Sequence, residues 1–129
     1  MNGLFDKMNN FLKIYLTTQG RLNRLRYFKY GLILGISTFI VSVILQVVAT
    51  LITGSEDGFV VQAIAVSISV IWFLGYITLV IRRLHDLDKK DIWAIGALIP
   101  YVNFAFGIYL LLMPGTPGRN QFGADPLLE

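Results

Sequence analysis

The densest run of chemically capable side chains in this 129-residue chain is Arg82-Arg83-Leu84-His85-Asp86. A histidine beside an aspartate could be a general base or half of a metal site. It is the only histidine present, however, and adjacent positions on a helix do not face each other. A mononuclear metal would need further ligands from Asp86, Asp88, Asp91 or Asp125, and nothing in their spacing makes them converge. Cysteine is absent, which removes thiolate nucleophiles, thiolate metal sites and disulfides together. The expectation is no catalytic residue, no metal and no cofactor. Arg82 and Arg83 would then reach out to lipid phosphates, Asp86 would pair with one of the arginines, and Asp91 would cap the next helix. Recognition of a headgroup or a partner protein by the same edge is the functional alternative.

Two further polar motifs flank apolar sequence. Gly20-Arg21-Leu22-Asn23-Arg24 precedes the first apolar run, and residues 114–126, Pro-Gly-Thr-Pro-Gly-Arg-Asn-Gln-Phe-Gly-Ala-Asp-Pro, follow the last. In the tail, Asn120, Asp125 and the backbone amides near Gly115 and Gly118 could cradle an anion, but the Lys and Ser or Thr of a phosphate-binding P-loop are missing. Its prolines and glycines predict a structured turn, with Pro114 stopping the preceding helix. The candidate residues for lipid or partner contact, or for a purely structural edge, are therefore Arg21, Arg24, Arg82, Arg83, His85, Asp86, Asn120 and Asp125.

The elements that position these motifs are apolar. Residues 30–52, 59–81 and 92–113 form runs of 23, 23 and 22 residues without Asp, Glu, Lys, Arg or His. At about 1.5 Å per residue each reaches about 33 to 35 Å, enough for a hydrocarbon core of about 30 Å. With 55% hydrophobic residues, 15% charged residues and a mean hydropathy of +0.64, the chain reads as one all-α integral membrane domain with three hydrophobic segments. No separate aqueous catalytic domain fits. The net charge of +3 does not point to nucleic acid, because the basic residues flank the apolar runs.

Charge placement sets the expected topology. Ten of the 11 Lys and Arg lie before the first run or between the second and third, and the loop at 53–58 has none. The N-terminus and the 82–91 loop are then cytoplasmic, with the first two runs forming an antiparallel hairpin. The first run begins only at residue 30 and is too long for a cleavable signal core. The third run admits two paths. A straight or kinked crossing, the expected one, puts the tail outside, consistent with its single Arg119. A turn at Ile99-Pro100-Tyr101-Val102-Asn103 would instead return it to the cytoplasm.

Residues 1–19 form a separate amphipathic arm. Leu4, Phe5, Met8, Phe11, Leu12 and Tyr15 recur at helical spacing, opposite Asp6, Lys7, Asn9, Asn10 and Lys13. This predicts an interfacial helix among anionic headgroups, with packing beneath the bundle as the alternative. Gly20 ends the arm, and Asn23 is a plausible N-cap for the helix entering the first run. The membrane domain then covers residues 20–126, with 127–129 as a tail end. Within the runs, Gly31-x-x-x-Gly35 allows close packing, and Gln46, Gln62 and Asn103 offer interhelical hydrogen bonds. Intramembrane ionisable groups, the usual mark of a coupled pump, are missing.

Taken together, Gly20 to Arg24, Arg82 to Asp86 and the tail ending Gly123-Ala124-Asp125-Pro126 resemble the bacterial inner-membrane proteins grouped as domain of unknown function 805. The resemblance covers residues 20–126. It implies a multi-span inner-membrane fold, and no established activity. Members often follow His-Asp with a Gly- and Ser-rich turn, where this chain has Leu87-Asp88-Lys89-Lys90. Arg26 stands where an acidic or amide residue is common, which removes the usual capping box from Asn23. The expected function is non-enzymatic engagement of anionic lipid headgroups, a second copy or another membrane protein through the basic edge. A transporter or channel subunit is the alternative.

Overall fold

The computed structural model describes residues 2–56 and 58–128. Met1 of the arm, Asp57 of the first loop and Glu129 of the tail end lie outside the described residues. Four α-helices and one 3-10 helix follow in order: α1 Asn2–Leu16, α2 Arg24–Thr53, α3 Phe59–Asp86, the 3-10 helix Asp91–Ala97 and α4 Val102–Leu112. Among the described residues there is no strand, only an isolated bridge between Asn120 and Gly123.

Helices α2 and α3 are an antiparallel pair, each long and apolar enough to cross a membrane. Of their most apolar 18-residue windows only 6% and 22% is buried, whereas the core helix of a water-soluble protein would be mostly covered. Their outward faces carry Phe39, Leu51, Ile52, Phe59 and Ile71, all exposed. That surface needs lipid or another apolar partner. Asn23 caps α2, its side-chain oxygen accepting from the Arg26 N–H at 2.8 Å. Both helices run past the charge-free segments into the polar motifs, so Arg24 to Lys29 and Arg82 to Asp86 are helical continuations rather than loops.

The third apolar run departs from the expected straight crossing. It breaks into the seven-residue 3-10 helix, a turn, and α4 of 11 residues. Proline causes the break: an α-helix through Pro100 would lack one N–H and would drive the ring into the carbonyl four residues earlier. Tyr101 completes the reversal in a left-handed conformation, φ 65°, and is 95% exposed at the tip. Gly96 lets the two arms meet, since a Cβ there would sit 3.2 Å from the Phe106 ring. The returning arm is about 16 Å long, roughly half a hydrocarbon core.

Both feet of this hairpin stand at the Asp86 end of α3. Asp91, at the start of the first arm, accepts from His85 Nε2 at 2.5 Å, and the Leu110 carbonyl, near the end of the second, accepts from Arg83 Nε at 2.7 Å. Higher up, the Tyr76 hydroxyl donates to Asn103 Oδ1 at 3.0 Å and ties the turn to α3.

Other expectations are corrected locally. Asp91 opens the 3-10 helix but does not cap it; that position is Lys90, without a side-chain bond. Gly31 and Gly35 face open space, while the close glycine approach in this pair is Gly75 against Leu34. Gln46 bonds Ser42 on its own helix. The arm is mixed: Leu4, Phe5, Met8, Phe11 and Leu12 are exposed, but Tyr15 is buried and donates to the Tyr30 carbonyl at 3.0 Å.

A third segment that turns back brings the tail to the Asp86 end of α3. A topology reporter placed after Leu128 is expected to read the same side as one after Asp86, and opposite to one at Glu56. Opposite readings at Asp86 and Leu128 would mean that the third segment crosses.

Candidate functional site

At the end of α3 three separate stretches of chain meet: the strap 17–23, the last turn of α3 and the tail 114–126. A helix leaves its last four carbonyls without intrahelical partners. Here each is taken. The Arg83 carbonyl accepts from the Leu87 N–H, and the Leu84 and His85 carbonyls accept from the N–H groups of Lys89 and Asp88. Asn120 Nδ2 adds a second bond to the His85 carbonyl at 2.8 Å. Thr116 gives both its N–H and its hydroxyl to the Asp86 carbonyl, at 2.8 and 3.0 Å. The bonds from Lys89 and Asp88 form a Schellman turn with Asp88 at its left-handed position, φ 56°, where a glycine would be unstrained. This chain thus closes without glycine the turn that its resemblance leads one to expect as Gly-rich. One turn earlier, the Arg82 carbonyl accepts from the Leu22 N–H and docks the strap.

The side chains of this end form a buried ionic clasp. Asp86 Oδ1 accepts from Arg21 Nε at 3.1 Å and lies 3.0 Å from Nη2, while Oδ2 accepts from Arg83 Nη1. All three groups are at most 3% exposed. Two guanidinium groups against one carboxylate leave one positive charge in excess, and backbone oxygens absorb it. Arg21 donates to the carbonyls of Thr116 and Gly118, and Arg83 to those of Leu22, Leu110 and Met113. The negative end of the α3 dipole adds to the same balance. Gly115 passes so close that a Cβ there would lie 2.2 Å from Asp86 Oδ2. Glycine is required by the carboxylate, not by the turn.

His85 points away from Asp86, as adjacent helical positions do. Its Nδ1 faces the Gly20 carbonyl at 3.1 Å and its Nε2 faces Asp91, so a ring with both protons donates at both ends. Phe122 stacks on it with centroids 3.9 Å apart. Asp125 folds the tail: its carboxylate accepts from the N–H groups of Gly118 and Leu127 at 2.8 and 2.9 Å. Those bonds, Leu127 first and then Gly118, hold its carboxyl below the usual value. The Gly118 amide, a candidate anion donor in the sequence, is therefore already occupied.

Of the eight candidates the structure gathers seven at this end of α3: Arg21, Arg82, Arg83, His85, Asp86, Asn120 and Asp125. Arg24 is apart, exposed on the first turn of α2. Arg83 does not reach lipid phosphates; it is fully buried, because Asp86 and three carbonyls consume its donors. Asp86 pairs with two arginines, not one, and its principal partner outside α3 is Arg21. Sequence reasoning named Gly115 only for its amide and missed Thr116; the Pro-Gly signal marked a turn but not what the turn encloses. Among the described residues no three His, Cys, Asp or Glu stand together as metal ligands.

Two long apolar helices, a short apolar hairpin and a saturated ionic clasp at one end define a small helical membrane protein. The chain belongs to the family described as Protein of unknown function (DUF805), which it matches over residues 15–124. It is 32% identical over 118 residues to the inner membrane protein YhaH of Escherichia coli K12, covering 92% of this chain and 93% of that one. To the inner membrane protein YhaI of the same strain it is 32% identical over 115 residues, with 89% and 90% covered. No solved structure matches.

The clasp predicts a ranking of stabilities. Asp86→Ala leaves two buried guanidinium groups without a counter-ion and is expected to cost about 3 to 5 kcal/mol. His85→Ala should cost less, about 1 to 3 kcal/mol, and Gly115→Ala about 1 to 3 kcal/mol through overpacking. Unfolding of the three variants beside wild type in one detergent measures this; equal midpoints would refute the clasp. Because the Asp125 carboxyl is held low in the folded protein, its contribution is present above the ordinary value of 3.8 and is lost as pH falls through the lowered one. Asp125→Asn should flatten the acid limb of stability below about pH 4, measured by the same unfolding assay.

Proposed function

We propose that this chain is a multi-pass protein of the bacterial inner membrane, with its N-terminus and the clasp on the cytoplasmic side, that binds anionic lipid headgroups through the exposed bases of that edge and catalyses no reaction. The observation that carries the reading is the division of its cations. Arg21 and Arg83 are consumed internally, whereas Lys7, Lys13, Arg24, Arg26 and Lys29 stand exposed on α1 and on the first turns of α2. The far loop at 53–58 carries Glu56 and Asp57 and no base. Exposed bases beside a membrane surface contribute about 1 kcal/mol each toward anionic lipid, and salt screens them. The apolar face of α1, with Lys7 and Lys13 beside it, has the composition of a helix that lies in the headgroup layer.

The test is retention of phosphatidylglycerol by the purified protein, read by native mass spectrometry. Replacing Lys7, Lys13, Arg24, Arg26 and Lys29 with Gln is expected to strip most of the retained lipid and leave the unfolding midpoint within about 0.5 kcal/mol of wild type per site. Undiminished retention would sink the reading. Solute flux in reconstituted vesicles would turn attention to the transporter or channel alternative, and capture of one membrane protein in place of lipid would favour a partner.

A further inference from the structure

Helix α4 has 11 residues against 30 and 28 in the pair it leans on, and beside it the pair is grooved. Where α4 meets α2 and α3, a cavity of about 450 Å³ has Tyr27, Trp72, Tyr76, Asn103 and Gly107 among its walls. Its neighbour, about 280 Å³, shares Tyr27, Trp72, Tyr76 and Gly107 and adds Gly31 and Gly35. A third, about 780 Å³, shares Gly35 and Trp72 and continues to Ser42 on α2 and Ala65 on α3. Common walls make these one groove along the α2–α3 seam, about 22 Å long from Tyr27 to Ser42 at 1.5 Å per residue. A Cβ added at Gly31, Gly35 or Gly107 would meet nothing within 4 Å, so each glycine leaves room that a side chain would take. Leu32, Phe39, Val66 and Phe104 on its walls are exposed, so the groove opens on the apolar flank of the molecule.

One end of the groove is polar. Asn103 is partly exposed there, and its Oδ1 accepts from the Tyr76 hydroxyl at 3.0 Å. Its Nδ2 makes no hydrogen bond among the described residues. Tyr76 lies seven residues before Arg83, and Asn103 seven before Leu110, whose carbonyl meets Arg83. Both counts place this end about 10 Å from the clasp, inside the apolar layer. An amide without an acceptor is costly at that depth. Beside it the Trp72 and Tyr76 rings stack at 5.2 Å with 4° between their planes, which makes a flat aromatic wall. No charged residue lines any of the three cavities.

We infer that this groove binds a membrane-dissolved quinone, its ring against Trp72 with one carbonyl accepting from Asn103 Nδ2 and its apolar chain along Gly31 and Gly35. The walls select this class by elimination. A phosphate headgroup needs a cation, and none faces the groove. A bare hydrocarbon chain would leave Nδ2 without an acceptor. A helix of a second copy is about 10 Å across and spends its carbonyls on its own N–H groups. A quinone supplies a flat ring, an uncharged acceptor and a long chain together, in a volume of the range that small-molecule sites occupy. The site does not rest on the headgroup reading above.

The experiment is fluorescence quenching of the full-length protein in detergent. The chain has two tryptophans, so Trp93→Phe leaves Trp72 as the reporter, and a quinone that touches an indole quenches it. Titration of this protein with a decyl-substituted benzoquinone is expected to give quenching that saturates at one quinone per chain. Excess decylbenzene or phosphatidylglycerol should not relieve it. In the same background Asn103→Ala should weaken binding roughly tenfold. Gly107→Leu, which fills the ring site and removes no hydrogen bond, should abolish saturable quenching while the unfolding midpoint stays at or above that of its parent. Quenching that rises linearly without saturation, or equal affinity in Gly107→Leu, would overturn the site. Relief by decylbenzene or phosphatidylglycerol, or undiminished affinity in Asn103→Ala, would overturn the quinone as its ligand. Should Gly107→Leu fail to fold, Gly31→Leu carries the same test from α2. Retention of phosphatidylglycerol by Gly107→Leu, read separately, keeps the fate of the basic edge distinct from that of the groove.

Discussion

A single carboxylate shared by two guanidinium groups organises this molecule. Asp86 lies where α3 ends, and each of its oxygens faces an arginine from a different direction: Arg83 from its own helix and Arg21 from the strap before α2. One carboxylate cannot neutralise both, so the excess charge recruits backbone oxygens from the strap, the second arm of the hairpin and the tail. The path of the chain follows from that demand. The hairpin must return to bring Leu110 and Met113 within reach of Arg83, and the tail must fold over to bring Thr116 and Gly118 to Arg21. A buried charge trio is costly to desolvate, and replacing such groups with apolar ones is often neutral for stability. What the trio contributes here is a unique arrangement of four chain segments, beside an apolar cluster in which Leu22, Leu84 and Leu110 already pack together.

The consequence for function is a separation of roles among similar residues. Arg82 and Arg83 are neighbours in sequence, yet one looks into the clasp and the other toward the α1 crossing, because consecutive helical positions differ by about 100°. Arg21 and Arg24 separate in the same way, one inside the strap and one on the exposed first turn of α2. The basic motifs are therefore half architecture and half surface, and only the surface half is available to a ligand.

Much of the architecture was legible in the sequence. Charge-free runs and their flanking bases marked α2, α3 and their hairpin, Asn23 marked the start of α2, and the spacing of Leu4 to Tyr15 marked α1. Those signals are local, and period and composition carry them. The path of the third segment was less so: length favoured a crossing and Pro100 allowed a return, and what decided between them was the pairing of Arg83 with carbonyls 27 and 30 residues away. The site was legible as residue types and not as contacts. Its partners are mostly backbone oxygens, which every residue has and no sequence pattern marks. Gly115 is the sharpest case, a glycine whose purpose appears only once the Asp86 carboxylate is placed beside it.

The span of the Arg21 contacts bears on how the protein is made. The carbonyls that receive its guanidinium belong to Thr116 and Gly118, 95 and 97 residues later in the chain. During synthesis Arg21 emerges long before they exist, and even before its partner Asp86, while a guanidinium without a partner is costly to bury. Asp86 offers Arg21 a counter-ion as soon as α3 has formed, but the Nη donors of that guanidinium stay open until the tail folds over them. The strap can therefore dock in two stages, first on a carboxylate and then under two carbonyls, and a chain lacking residues 116–118 would keep the ion pair and lose the cover over it.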